Sequence, residues 1–281
     1  MAGLGRLAAC ILESLTCLEV PAWGYGIRYD YGSFNQKIDE NGVQVEVPDW
    51  WYRKGNPWEI PRQDVCYTVR FGGTTREHSG SPQSDFSKIW EGGVVVLAMA
   101  YDTPMPGYNT FNCNNLRLWR SKPTEEFDLA AYNEGDYYGA IADRQSAEEI
   151  TRVLCYTDQS DAGRELRLKQ EYFFCAATVR DIVNRFKQSH TASDWNNFAD
   201  ENIIHINDSQ PALATIELLR ILLDEERLPW EEAWHLTFHS CTYTNHSLMT
   251  AASEEWPVWL LKKILPRHLE LIHKVNFFFI G

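Results

Sequence analysis

Two short polar clusters carry the residue types that could do chemistry in this chain. The first is Thr244-Asn245-His246-Ser247, which closes the apolar and aromatic run beginning at Leu236. The second is Asn207-Asp208-Ser209-Gln210-Pro211, which closes Ile203-Ile204-His205-Ile206. Each pairs an ionisable side chain with amides and hydroxyls. In open α/β sheets ligands bind beyond the carboxyl ends of strands. Two strand ends carrying Asp208 and His246 therefore predict one cleft.

The elements that would position these residues follow from periodicity. Leu4, Leu7, Ala8, Ile11, Leu12 and Leu15 follow helical spacing, an amphipathic first helix. Trp23 to Tyr31 reads as a strand, with Gly24 and Gly26 where backbones approach closely. Val94 to Ala100 is an uninterrupted apolar run, as a fully buried strand of a parallel sheet requires. Asp102 to Tyr108, with two prolines and a glycine, reads as a turn, and Asn115 to Trp119 as a short strand. Residues 72–92, rich in Gly, Ser and Thr, read as a surface excursion. Thr124 to Leu154 is a charged helical region, and Arg164 to Lys187 one long helix. Ile203 to Ile206 is a strand, after which Asp208 or Ser209 caps a helix through Leu213, Ile216 and Leu219. A helix opening at Pro229-Trp230 precedes the run from Leu236. Strands alternating with helices predict α/β. The aromatic stretch Asp49 to Trp58 is read as pinned to the core rather than as a sugar platform.

Composition bounds the partners. The 281 residues carry 26 basic and 39 acidic side chains, a formal charge of −13, which argues against nucleic acid or an anionic membrane surface as partner. A neutral ligand such as a sugar polymer meets no such repulsion. Seven scattered cysteines without Cys-x-x-Cys favour buried thiols in a reducing, cytosolic compartment. The longest apolar run, Val94 to Ala100, is far short of the ~20 residues that cross a bilayer.

Two weaker signals are also present. Gly3-x-Gly5-x-x-Ala8 matches the dinucleotide fingerprint without its preceding strand, and a glycine turn packed closely on a neighbour is an equal explanation. His235 and His239, placed in a strand at ~3.3 Å per residue, stand about 13 Å apart and share no metal; in the tail of a helix they could, but no third ligand is evident.

Longer words in the sequence add a resemblance. Gly3 to Cys10, Gly24 to Tyr29, Phe34 to Lys37, Gly55-Asn56-Pro57-Trp58-Glu59, Tyr101 to Pro104, Glu165 to Phe173, Tyr243 to His246 and Leu265 to Leu269 resemble the glycogen (α-1,4-glucan) phosphorylases, in family order from end to end. The resemblance implies a Rossmann-like N-terminal domain of a two-domain glycosyltransferase of the GT-B type. Residues 1–281 would be a single partial domain, with a mixed or parallel sheet flanked by helices. The cofactor-binding C-terminal domain and its pyridoxal lysine would lie outside this chain, which alone would be inactive.

The implied reaction is retaining phosphorolysis of the terminal α-1,4-linked glucose of glycogen, starch or maltodextrin by inorganic phosphate, giving glucose 1-phosphate with pyridoxal phosphate as cofactor. By the same resemblance His246 and Asp208 are catalytic, and Asp158, Gln159 and Asn245 bind substrate. Gly3 and Leu4 belong to a phosphate-facing glycine loop, and Asp136 to Glu149 to a helix that builds a homodimer. No metal is implied. Two departures bear on these roles: Gln210 replaces a family histidine and Gln159 a family asparagine. They favour, as the alternative, a non-catalytic glucan-binding or dimerising module.

Overall fold

A computed structural model describes residues 2–32, 34–78, 86–125, 127–154, 160–190, 194–248 and 254–280. The chain divides into two compact units, residues 1–68 with 96–158, and residues 69–95 with 159–281.

The first unit opens with helix α1 (Ala2–Cys17) and strand β1 (Trp23–Ile27). A hairpin follows, β2 (Asn35–Ile38) against β3 (Gln44–Val47). Asp39 builds its turn by accepting the Asn41 and Val43 amides at 2.9 and 2.8 Å. The main sheet uses β4 (Ile60–Phe71), β7 (Val94–Pro106) and β8 (Cys113–Pro123) in the order β1-β8-β7-β4. β1 lies parallel to β8 and β7 antiparallel to it, so the sheet is mixed. Gly24 allows the close approach expected of it: an added Cβ would sit 3.1 Å from Leu116 and 3.2 Å from Leu12.

β7 runs through Pro104 and ends only at Pro106, where a turn was expected from Asp102 to Tyr108. Asp102 faces Arg117 in register across β7 and β8, and its carboxylate accepts two charge-assisted bonds of 2.8 Å from that buried guanidinium. The reversal comes at Gly107, whose amide donates to the Asn112 carbonyl at 3.1 Å. Helices α2 (Leu129–Asn133) and α3 (Gly139–Glu149) complete the unit, α2 capped by the Asp128 carboxylate.

The aromatic loop is not core. Trp50 and Trp58 are 60% and 73% exposed, while Trp51 is tied down through its indole N–H to the Tyr29 carbonyl at 3.1 Å. Arg28 holds Tyr52 instead, its guanidinium 4.2 Å from that ring.

The second unit contains the hairpin β5 (Thr74–Glu77) and β6 (Lys88–Glu91) where a surface excursion was expected. Polar bonds fasten it: Thr75 to Glu270 at 2.6 Å and the Lys88 amide to Asp224 at 2.9 Å. Helix α4 (Asp161–Ser189) is started by Ser160, whose hydroxyl accepts the Gly163 amide. Then come α5 (Phe198–Glu201), β9 (Ile204–Asn207), a 3-10 turn (Gln210–Ala212), α6 (Leu213–Arg220) and one π turn (Ile221–Glu225). Helix α7 (Trp230–Ser240) leads into β10 (Cys241–Thr244), and α8 (Val258–Ile264) and α9 (Pro266–Ile280) follow. Leu218, Leu219, Ile221, Leu222 and Leu223 centre the core, packed with Val179, Val183 and Phe186 of α4 and Leu236 of α7.

The run from Leu236 is therefore only partly strand. Leu236 to Ser240 end a helix whose inner face is Ala233, Leu236, Thr237 and Ser240, an i, i+3, i+4, i+7 stripe. His235 and His239 consequently lie one helical turn apart, ring centroids 4.1 Å from each other, and the strand spacing used to separate them does not apply. Among the described residues no group of three or more His, Cys, Asp or Glu is arranged to hold a metal.

Candidate functional site

The unit β9-α6-α7-β10 brings the two polar clusters together. β9 and β10 run parallel, with Ile204 opposite Cys241 and Asn207 opposite Thr244. Their carboxyl ends release Asp208 and Asn245-His246 side by side. The Asp208 amide donates to the Thr244 carbonyl at 2.9 Å, carrying the ladder one residue past the strands.

Alternation along each strand sorts the side chains. Ile206 is buried below, whereas His205, Asn207, Thr242, Thr244 and His246 share the other face. There they form a cross-strand ladder. The ring nitrogens of His205 meet the Thr242 hydroxyl at 3.0 Å and the Thr244 hydroxyl at 3.2 Å, and the amide oxygen of Asn207 meets Nε2 of His246. The His246 imidazole is exposed at the open end of this ladder.

Asp208 takes φ +78°, in the left-handed region that costs a residue with a Cβ of order 1 kcal/mol or more. Its carboxylate accepts the Ser209 amide at 2.9 Å. Neither Asp208 nor Ser209 caps the helix as expected. The 3-10 turn at Gln210–Ala212 intervenes, Ser209 makes no side-chain cap bond, and Pro211 supplies the preset φ at the start instead. Gln210 is exposed. Asn245 folds back on Ser247, its amide donating to that carbonyl at 2.6 Å and accepting its N–H at 3.3 Å. Asp158 and Gln159 lie outside the described residues.

Behind Ser209 stands a carboxylate pair that periodicity did not single out. The Ser209 hydroxyl donates to Glu254 at 3.4 Å, and Arg167 bridges Glu254, at 2.7 Å, and Glu171, at 3.3 Å. Burial, reinforced by the charge of Glu254, pushes the Glu171 carboxyl up to about 9, against the opposing pull of Arg167. The i, i+4 spacing of Arg167 and Glu171 was the available signal. Its partner Glu254 lies 87 residues from Arg167 in the chain, beyond the reach of local pattern.

A second buried network lies in the same unit. Glu217 accepts from Arg220 at 2.7 and 2.8 Å, from His268 at 2.7 Å and from the Tyr172 hydroxyl at 3.2 Å. Burial opposes its ionisation, yet Arg220 and His268 hold the Glu217 carboxyl well below the usual carboxylate range. Desolvation lowers the His268 pKa despite this partner.

Gly3 and Leu4 belong to the first unit, in the first turn of α1. The glycines are part of the helix rather than of a turn before it. An added Cβ at Gly3 or Gly5 would meet nothing within 4 Å, so close packing does not explain them. The first four N–H groups of a helix have no intrahelical partner and sit at the positive end of its dipole, which suits an anion.

A mixed α/β chain with an imidazole and a carboxylate at adjoining parallel strand ends has the layout of a small-molecule-handling enzyme domain. The family model for carbohydrate phosphorylases matches residues 1–281, and the chain belongs to that family. It is 50% identical over 278 residues to glycogen phosphorylase of Saccharomyces cerevisiae, covering 99% of this chain and 30% of that protein. It is 47% identical over 274 residues to glycogen phosphorylase of Chlamydia pneumoniae, covering 98% and 33%. The muscle form of Ovis aries is 48% identical over 280 residues, covering 98% and 32%. The chain thus spans about a third of the length of these relatives. Among the described residues no helix is long and apolar enough to cross a membrane.

Proposed function

We propose that this chain is the sugar-holding portion of a glycogen phosphorylase, acting in the phosphorolysis of terminal α-1,4-linked glucose to glucose 1-phosphate. The observation that carries the proposal is the juxtaposition of Asp208 and His246 at the ends of β9 and β10, in a chain about half identical to proteins named glycogen phosphorylase. In the reaction a phosphate oxygen bonds to the anomeric carbon, the glycosidic C–O bond breaks, and the departing 4-oxygen takes up a proton. His246 contributes by fixing a sugar hydroxyl, and the strand-end dipoles around it by favouring the positive charge that develops on the sugar. Asp208, held left-handed at the adjoining strand end with its carboxylate on the Ser209 amide, is assigned the second catalytic role. Asn245, Asp158 and Gln159 are assigned to further sugar contacts.

Pyridoxal phosphate is the cofactor of this proposal; when bound, its phosphate exchanges protons with the substrate phosphate. The first turn of α1 fits such a group, since Gly3 leaves open space beside donor N–H groups. Gly3 and Leu4 would hold a phosphate by their amides. The larger assembly is read as a cytoplasmic homodimer of GT-B enzymes, with the region Asp136–Glu149, which contains α3, in the subunit contact and this chain supplying the Rossmann-like sugar-side domain.

Supplied with glycogen and phosphate, the 281-residue chain by itself is expected to release no glucose 1-phosphate in a coupled assay. Turnover at an ordinary rate without any other chain would place the whole chemistry within these residues and overturn the assignment.

A further inference from the structure

We infer that Asn207 is a positioning residue for His246, setting which ring nitrogen meets the ligand. The inference rests on the glucan assignment of the strand-end site and adds the direction of the hydrogen bond made there. Asn207 is the last residue of β9, and its side chain projects on the same face as the imidazole two positions beyond β10. The amide oxygen of Asn207 lies on Nε2 of His246. A carbonyl oxygen has only lone pairs to offer, so Nε2 must carry the proton and donate. Nδ1 of the neutral ring is then an acceptor, and among the described residues nothing donates to it.

The site therefore presents an acceptor to the ligand and selects a hydroxyl that can donate. The rest of the ladder holds this arrangement in place. The Asp208 amide donates to the Thr244 carbonyl, which fixes the spacing of the two chain ends. His205 is engaged on both ring nitrogens by Thr242 and Thr244, so it does not compete for the Asn207 amide. The Asp208 carboxylate accepts the Ser209 amide at 2.9 Å.

The test is a proton–nitrogen correlation spectrum of the histidine side chains in the 15N-labelled 281-residue chain without sugar, at a pH where His246 is neutral. The expected spectrum has an Nε2–H correlation for His246 and an unprotonated Nδ1. Asn207→Asp, which keeps the acceptor, retains that correlation. Asn207→Leu loses it to solvent exchange, with the backbone amide spectrum otherwise unchanged. A protonated Nδ1 in the starting chain, or an Nε2–H correlation that survives Asn207→Leu, overturns the inference. Titration with maltoheptaose is the separate arm: Asn207→Leu should weaken its binding roughly 3- to 10-fold, the worth of one hydrogen bond, and Asn207→Asp should restore it. If the sugar-free spectra behave as expected while maltoheptaose leaves His246 unmoved, the positioning role stands and the glucan assignment falls.

Discussion

The amide of Asp208 and the carbonyl of Thr244 are joined by a 2.9 Å hydrogen bond just beyond the parallel pair β9 and β10. That bond carries the ladder one residue past the strands, where Asp208 and His246 leave the two adjoining strand ends. The two strands are joined by a crossover through α6 and α7, so no hairpin turn fixes their register.

The backbone at Asp208 stores strain that can be measured. Its φ of +78° is comfortable for glycine and costly for a β-branched residue. Asp208→Gly is expected to unfold within about 1 kcal/mol of the starting chain or to gain stability, while Asp208→Val loses roughly 1–3 kcal/mol. Urea titration of both variants checks this. Equal loss in the two would mean that the carboxylate contacts, not the dihedral, set the cost.

Glu171 gives a pH signature. Its carboxyl is held up to about 9 in the folded chain, against an ordinary 4.5, so the folded state keeps a proton that the unfolded state has released. The stability contributed by this group is fully present below about pH 4.5 and falls as pH rises toward 9. Glu171→Gln mimics the protonated form and is expected to flatten that part of the melting-temperature profile. Parallel profiles for the two proteins would contradict it.

The Glu217 network tests what a buried charge is worth. Glu217→Ala would leave Arg220, 8% exposed, with Glu225 alone at 2.9 Å and strip His268 and Tyr172 of their acceptor, and the expected loss is about 2–3 kcal/mol in chemical unfolding. Exposed pairs such as Arg76–Glu91, at 2.9 Å, are expected to contribute at most about 1 kcal/mol.

Much of this architecture was legible because it is periodic. The long helix through Leu168 and Val179, the apolar segment before Asn207 and the close approach at Gly24 all follow from local pattern. What escaped depends on long-range partners. Pro104 and Pro106 signalled a turn, but a buried Arg117 on the neighbouring strand keeps Asp102 extended. Leu236 to Ser240 look strand-like through their Thr and Phe, yet the stripe from Ala233 makes them helix. The hairpin at residues 74–91 is held by Glu270 and Asp224, far along the chain. At the strand ends, the residue types of Asp208 and His246 were visible. The left-handed backbone of the one and the Asn207 partner of the other were not, because neither is a local pattern.

Calorimetric titration of maltoheptaose into the chain is the most direct measurement of whether these strand ends hold a glucan. Binding heat at millimolar sugar is expected for the starting sequence and its loss in His246→Ala, with the melting temperature of the variant unchanged. Absence of heat from the starting sequence, or undiminished binding in His246→Ala, would contradict the assignment of the sugar to this site.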